Sequence, residues 1–282
     1  MALTVALLGV LVLVATAIAG VATHRAALGR PLVYGASAAA NLVLLAVGLY
    51  ALLGALAPQT ETLPLGLPWL GARFRLDSLS ALFLAVVNLG GLAASLYALG
   101  YGRHEHEPAR VLPFYPAFLA GMNLVVLAAD AFTFLLSWET MSLASWALVM
   151  SHHREEGNAR AGYVYLVMAS FGTLALRLAF GLLAGAEGGY GFDSIRNVEH
   201  AQSLKALVLV LVLLGAGSKA GLVPLHAWLP LAHPAAPSHV SALMSGVMTK
   251  VAIYGFIRIV FDLLGPPVWW WSVIVLLLGG IT

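Results

Sequence analysis

The chain has 282 residues, of which 61% are hydrophobic and 9% charged, against roughly 25% charged residues in an ordinary soluble domain. A mean hydropathy of +0.94 and that scarcity of charge exclude a soluble globular fold and indicate an integral membrane protein. The balance of 14 Lys+Arg against 12 Asp+Glu is a net +2, and the basic residues are scattered rather than gathered into a patch for nucleic acid. Cysteine is absent, so this chain supplies no disulfide, thiolate zinc site, Cys-ligated iron–sulfur cluster or cysteine nucleophile. Any redox centre is expected on a partner, and no cofactor is implied for the chain itself.

Apolar runs follow one another at 2–23, 33–57, 76–100, 113–129, 131–152, 161–184, 204–220, 238–261 and 268–282. Most approach the ~20 residues that a helix needs to cross the hydrocarbon. The first has no basic flank and exceeds the roughly 7–15 residues of a signal-peptide core, so it reads as a retained span. None alternates apolar and polar as a barrel strand does. The expected fold is an all-α polytopic bundle of eight helices and a ninth cut short.

Between the runs, residues 58–75 are proline-rich and read as an extended loop or hairpin on the surface. Residues 185–203, with GGYGFDSIRN, read as a second surface linker. With the amino terminus outside, the inside loops hold Arg25, Arg30, Arg103, Arg110, Arg154 and Arg160. The outside segments hold Arg73, Arg75, Arg196, Lys205 and Arg258, a small positive-inside bias for a multi-pass protein of a bacterial or archaeal plasma membrane. The last run, VWWWSVIVLLLGGIT, has no polar flank, which predicts a longer protein continuing beyond it.

A charge at mid-bilayer costs at least ~2.5–3.5 kcal/mol on insertion scales, so charges inside apolar runs are candidates for function. Glu139 lies in FLLSWETMSLASW (134–146) and shares a helical face with Leu136, Ser142, Leu143 and Trp146. Ser142 is placed to bond its carboxylate; packing across helices is the plain alternative. Lys219 lies in GAGSKAGLVPLHAWLP (215–230), where three glycines thin the helix and Pro224 cannot donate to the Ala220 carbonyl. A helix break at membrane depth is tolerated only inside protein or beside a wet cavity, although a lysine at a helix end also reaches headgroups.

His239 and Lys250 are eleven residues apart in one run, about 16 Å along a regular helix and about 20° around it, and so share a face. Ala242 and Gly246 between them leave room for water. A buried lysine and a histidine suit a proton relay; packing roles are the alternative. Arg177 cannot shuttle protons and either pairs with Glu139 or Asp130 or serves structure alone. HEHE at 104–107 and the pair His152 and His153 read as solvated loop rather than metal ligands. No phosphate loop or nucleophile triad is present.

The stretch 215–258, GAGSKAGLVPLHAWLPLAHPAAPSHVSALMSGVMTKVAIYGFIR, closely resembles the proton-translocating antiporter-like subunits of respiratory complex I and membrane-bound hydrogenases. The resemblance runs from about residue 70 to the end and is strongest to the hydrogenase-4 component B, or formate hydrogenlyase subunit 3, branch. The NADH–quinone oxidoreductase L, M and N chains and multisubunit sodium/proton antiporters are similar. The resemblance implies two inverted five-helix repeats, the first at 113–261, preceded by helices in 1–112 and followed by the start of a ninth helix at 262–282. It implies that Glu139 pairs with Lys219 on a broken helix and that Lys250 passes the proton on, with His239 joining the relay. It implies partners among the other membrane subunits of a hydrogenase or complex I-like assembly, and protons as cargo, within the lipid bilayer. A component of a multisubunit cation/proton antiporter and a non-transporting structural remnant are the alternatives. The second repeat is missing, and Arg177 stands where a neutral residue is expected.

Overall fold

The computed structural model describes residues 1–102, 105, 107–185 and 188–282. Arg103, His104 and His106 of the charged loop lie outside the described residues.

The apolar runs fold as helices in chain order. The first two are α1 (Ala2–Thr23) and α2 (Gly29–Leu53). A hairpin of β1 (Gln59–Leu63) and antiparallel β2 (Ala72–Leu76) separates them from α3 (Ser78–Tyr101). A short α4 (Pro108–Val111) runs into α5 (Phe114–Leu127), and α6 (Ala131–Val149) and α7 (Asn158–Ala184) follow. After α8 (Phe192–Arg196) come α9 (Gln202–Ala220) and α10 (Leu229–Ala235). The next span, Ser238–Leu263, is one continuous path. It comprises α11 (Ser238–Leu243), a π turn at Met244–Met248, α12 (Thr249–Ile257) and a second π turn at Arg258–Leu263. The short α13 (Trp269–Ile281) closes the described chain.

Among the described residues, 7 helical stretches are long and apolar enough to cross a membrane. Helix α6 falls outside that set because Glu139, Thr140 and the hydroxyls of Ser137, Ser142 and Ser145 dilute its apolar side chains. It is instead packed against α5 and α7. Leu8, Leu11, Ile18, Leu42, Leu174 and Leu178 are exposed, as expected of helices whose outer surface meets hydrocarbon rather than water. The chain is therefore a multi-pass α-helical membrane protein.

Helix α5 is the centre of the bundle, contacted by α1, α3, α6 and α12. Two helix starts carry side-chain caps: Asp77 accepts from the Ser80 amide at 2.9 Å and Asp130 from the Thr133 amide at 2.7 Å, satisfying N–H groups the helix cannot. Asp130 also accepts from the Arg73 amide at 2.9 Å, which ties the hairpin to α6.

The two linkers are more deeply embedded than their composition suggested. Residues 58–75 do form a hairpin, but Phe74 is buried and its backbone bridges Ala128. In the second linker Phe192 and Ile195 are buried, and Gly191 bridges Asp130. Both segments use their few apolar residues to cover one end of the bundle.

Candidate functional site

Helix α9 ends at Ala220, where Gly221 adopts φ +80°, a conformation that costs glycine little and other residues more. The chain then turns through 222–228 before α10 begins. This is the helix break expected from the glycines and Pro224. It leaves carbonyls at the end of α9 without helical partners, and the Trp228 indole Nε1 donates to one of them, Ser218 O, at 2.8 Å.

Lys219 is buried at this end, 4% exposed. Its Nζ donates to the Tyr165 hydroxyl at 3.0 Å and lies 4.8 Å from the centre of that ring. Tyr165 and Ser145 hydroxyls are 2.6 Å apart, and Ser145 donates to Met141 O at 2.7 Å. With the Ser145 proton committed to that carbonyl, Tyr165 accepts from Lys219 and shares its own proton between Ser145 Oγ and Met248 Sδ, 3.6 Å away. A directed line of hydrogen bonds thus joins Lys219 on α9, through α7, to α6. Trp228 packs edge-on against Tyr165 at 5.0 Å. A cavity of about 10 Å³ lies among Tyr165, Ala169, Ser218, Lys219 and Trp228, at the lower limit for one water.

Close approach of α7 and α9 makes this geometry possible. A Cβ on Gly172 would stand 2.9 Å from Gly215 O, and one on Gly215 would stand 2.8 Å from Gly172 O. The hydroxyl of Ser218 donates to Met168 O at 3.1 Å across the same seam.

Glu139 is not the direct partner of Lys219, contrary to the pairing implied by the family resemblance. Its ion-pair partner is Arg177, at 4.0 Å. They meet on a groove of about 660 Å³ that Trp69, Phe132, Leu136 and Tyr190 also line. The reason is rotation along α6: Glu139, Ser142 and Ser145 are three residues apart, and each step of three turns the side chain by about 60°. Glu139 therefore faces Arg177 while Ser145 faces Tyr165. Ser142 stands between them, its hydroxyl buried and without a partner among the described residues, rather than bonded to Glu139.

His239 and Lys250 are not on one face either. His239 is buried and Lys250 exposed. The Met244–Met248 π turn holds an extra residue, and one extra residue rotates all that follows by about 100° relative to a regular helix. Lys250 Nζ donates to Ser245 O at 3.0 Å and Thr249 Oγ1 at 3.4 Å. The His239 Nε2 is 3.4 Å from the Tyr34 hydroxyl, and its Nδ1 is buried without a partner among the described residues. Ala242 and Gly246 line, with His239, a groove of about 640 Å³ between α3 and the Ser238–Leu263 path.

Glu105, Glu107, His152 and His153, the described residues of the two charged loops, are not uniformly solvated. Glu105 is buried, and its Oε1 is 2.9 Å from His152 Nε2. The His153 Nδ1 instead pairs with Arg110 Nη1 at 2.9 Å. No group of three or more potential metal ligands occurs among the described residues.

Residue types on their own did not reveal Tyr165, Ser145 or Trp228. The available signal was a hydroxyl in a spanning helix: a buried tyrosine needs a partner for its O–H, and Tyr165, Ala169, Gly172 and Leu176 recur at helical spacing as the inner stripe of α7.

At the other end, Arg258 is buried and donates to both Asp77 oxygens at 2.8 Å and to Asp262 at 2.9 Å. Arg196 extends the network to Asp262 at 2.8 Å. Burial opposes ionisation of Asp77, but the hydrogen bonds and charge of Arg258, with the Ser80 amide and Arg75, outweigh it and hold the carboxyl down at about 2.

A polytopic helical bundle with a buried lysine at a broken helix is an arrangement also found in membrane transporters. Residues 128–282 match the family described as NADH:quinone oxidoreductase/Mrp antiporter, transmembrane. The chain belongs to this family. It is 41% identical over 200 residues to hydrogenase-4 component B of Escherichia coli (strain K12), covering 69% of this chain and 30% of that protein. It is 32% identical over 208 residues to a probable K⁺/H⁺ antiporter subunit of Rhizobium meliloti (strain 1021), covering 72% and 21% respectively. The chain thus spans under a third of the length of these relatives. Its fold is similar to a chain of the membrane-bound sulfane sulfur reductase, an archaeal respiratory membrane complex, with TM-score 0.78, 21% identity and coverage of 97% of this chain and 56% of the other.

Proposed function

We propose that the chain is a proton-translocating membrane subunit of a hydrogenase, formate hydrogenlyase or NADH–quinone oxidoreductase-like assembly in a bacterial or archaeal plasma membrane. The observation that carries this reading is buried Lys219 at a helix break, hydrogen-bonded through Tyr165 and Ser145 to the helix bearing Glu139. Residues 113–261 act as the first five-helix repeat, after the helices of 1–112 and before the helix that starts in 262–282.

Electron transfer takes place in partner subunits. Movement of α7 against α9 lengthens the Lys219–Tyr165 hydrogen bond and changes the free energy of holding a proton at Lys219. Moving one charge through 100 mV takes ~2.3 kcal/mol, and a hundredfold change in proton affinity supplies about 2.7 kcal/mol. One such step is therefore energetically sufficient. Lys250 receives the proton. Its exposed position on a spanning helix is costly against hydrocarbon, so this face of the helix meets protein or water in the membrane. Glu139, through Arg177 and the intervening Ser142, sets the local field.

Proteoliposomes of the complete assembly, loaded with a pH-sensitive dye, provide the test. Lys219→Ala is expected to stop proton flux and Glu139→Gln to slow it. Wild-type flux in both variants, with the assembly intact, refutes the proposal in favour of a structural role. Membership of a cation/proton antiporter is the second reading, favoured by the family match and the antiporter relative. Proton flux that requires Na⁺ or K⁺ and no redox turnover selects it.

A further inference from the structure

We propose that His152, Glu105 and Tyr34 form a proton-uptake site that feeds His239 from the charged loop end of the bundle, separately from the Lys219 line. This inference rests on the reading of the chain as a proton-translocating subunit.

A depression of about 280 Å³ opens at the loop end, lined by Glu107, Ser151, His152, His153, Arg154 and Glu155. His152 is therefore reachable from water. Its Nε2 is 2.9 Å from Glu105 Oε1, while its Nδ1 is 3.3 Å from Ser151 Oγ. The Glu105 carboxylate is itself buried, 8% exposed for the residue, and the same oxygen accepts from the Glu107 amide at 3.0 Å. A buried carboxylate in contact with a histidine that lines a polar depression is costly to maintain for packing alone. Arg30 holds the segment in place by donating to Glu105 O at 2.8 Å.

Tyr34 lies one turn further along α2 from Arg30 and is buried. Through Arg30, Glu105 is held at the same end of α2 as Tyr34. The Tyr34 hydroxyl is 3.4 Å from His239 Nε2. A Cβ on Gly102 would come within 2.6 Å of the Tyr34 ring, so Gly102 is pressed against that ring. The groups facing His239 are Tyr34 from α2, Tyr101 from α3 and Tyr115 from α5. On the neighbouring α10, His233 is engaged by Ser241 Oγ at 2.9 Å.

The proton step balances without any further reactant. A proton from water reaches His152 and passes from its imidazolium to the Glu105 carboxylate. The Glu105 carboxyl gives this proton up to water, and Tyr34 accepts a proton from that water on its oxygen as it donates its own to His239 Nε2. The resulting imidazolium then holds a second N–H at Nδ1, the atom without a partner, from which the charge moves on. A phenol in this position relays a proton and retains none, and a histidine titrates near neutral pH in its ordinary state.

The test uses the complete assembly in proteoliposomes under an imposed potassium diffusion potential, with flux recorded across pH. Tyr34→Phe keeps the ring against Tyr115 and His239 and removes only the relaying hydroxyl. It is expected to lower flux by about tenfold or more, with Glu105→Gln giving a similar loss and a changed pH profile. Glu105→Gln lies in a loop and carries the test if Tyr34→Phe fails to assemble. Normal rates and an unchanged pH profile in these variants, where Lys219→Ala still abolishes flux, overturn the uptake site and leave the proposed function standing. Flux that survives Lys219→Ala overturns the proposed function itself.

Discussion

Lys219 Nζ donates a 3.0 Å hydrogen bond to the Tyr165 hydroxyl while lying 4.8 Å from the centre of the same ring. One residue thus provides both the acceptor and a π face, an arrangement whose cation–π part is worth about 2 kcal/mol when desolvated. Tyr165→Phe retains the ring and removes the acceptor. The expected outcome is a loss of stability of about 1–3 kcal/mol, the cost of an unsatisfied buried donor, measured by thermal unfolding in detergent. Proton flux is expected to fall by about tenfold; unchanged stability and flux would contradict the role given to the Lys219–Tyr165–Ser145 line.

The Glu139–Arg177 pair should behave differently. The Arg177 side chain is 62% exposed, the ions are 4.0 Å apart and both line the open groove, so with water in that groove the coupling is expected to stay below about 1 kcal/mol. A double-mutant cycle of Glu139→Gln and Arg177→Ala, read by thermal stability, checks this. A coupling of several kcal/mol would show the pair to be a structural clamp.

Asp77 links stability to pH. Its carboxyl is held at about 2 in the folded protein, below its ordinary 3.8. A depressed carboxyl contributes stability that is fully present above the unfolded value and is lost as pH falls through the folded one. Wild-type protein should therefore weaken between pH 3.8 and about 2. Asp77→Asn is expected to cost about 2 kcal/mol at neutral pH, because buried Arg258 loses one of its two charged partners, and to weaken less on acidification. An acid titration of unfolding temperature compares the two; parallel curves would refute the assignment.

The seam between α7 and α9 is set by two glycines. Gly215→Val places new atoms against Gly172 O and the Leu176 side chain and is expected to destabilise by about 1–3 kcal/mol through overpacking. Forcing the helices apart should also impair proton flux, because Ser218 and Lys219 cross this seam. Gly246→Ala, where a Cβ would meet nothing within 4 Å, is the matched control. Equal effects of the two substitutions would refute the packing account.

Much of the fold was legible because membrane insertion imposes a single dominant requirement, that long segments be apolar and satisfy their backbone internally. The apolar runs became helices with ends displaced by a few residues, and the break after Lys219 was visible in its glycines and proline. The depth of the two linkers was not legible, since Phe74, Phe192 and Ile195 are isolated apolar residues whose burial depends on what lies above the helix ends.

At the site, residue type and position along the chain sufficed to single out Glu139, Lys219, His239, Lys250 and Arg177, because a charge in hydrocarbon is expensive wherever it points. Their partners were decided only in three dimensions. The π turn at Met244–Met248 separated His239 from Lys250, and the rotation of about 60° per three residues along α6 turned Glu139 toward Arg177 and Ser145 toward Tyr165. Sequence alone determined a membrane bundle with a few costly charges, because burying charge in apolar surroundings is a property of composition. The tertiary structure decided which groups lie within hydrogen-bonding distance of one another, because that depends on rotations of a fraction of a turn and on glycine seams that let helices approach.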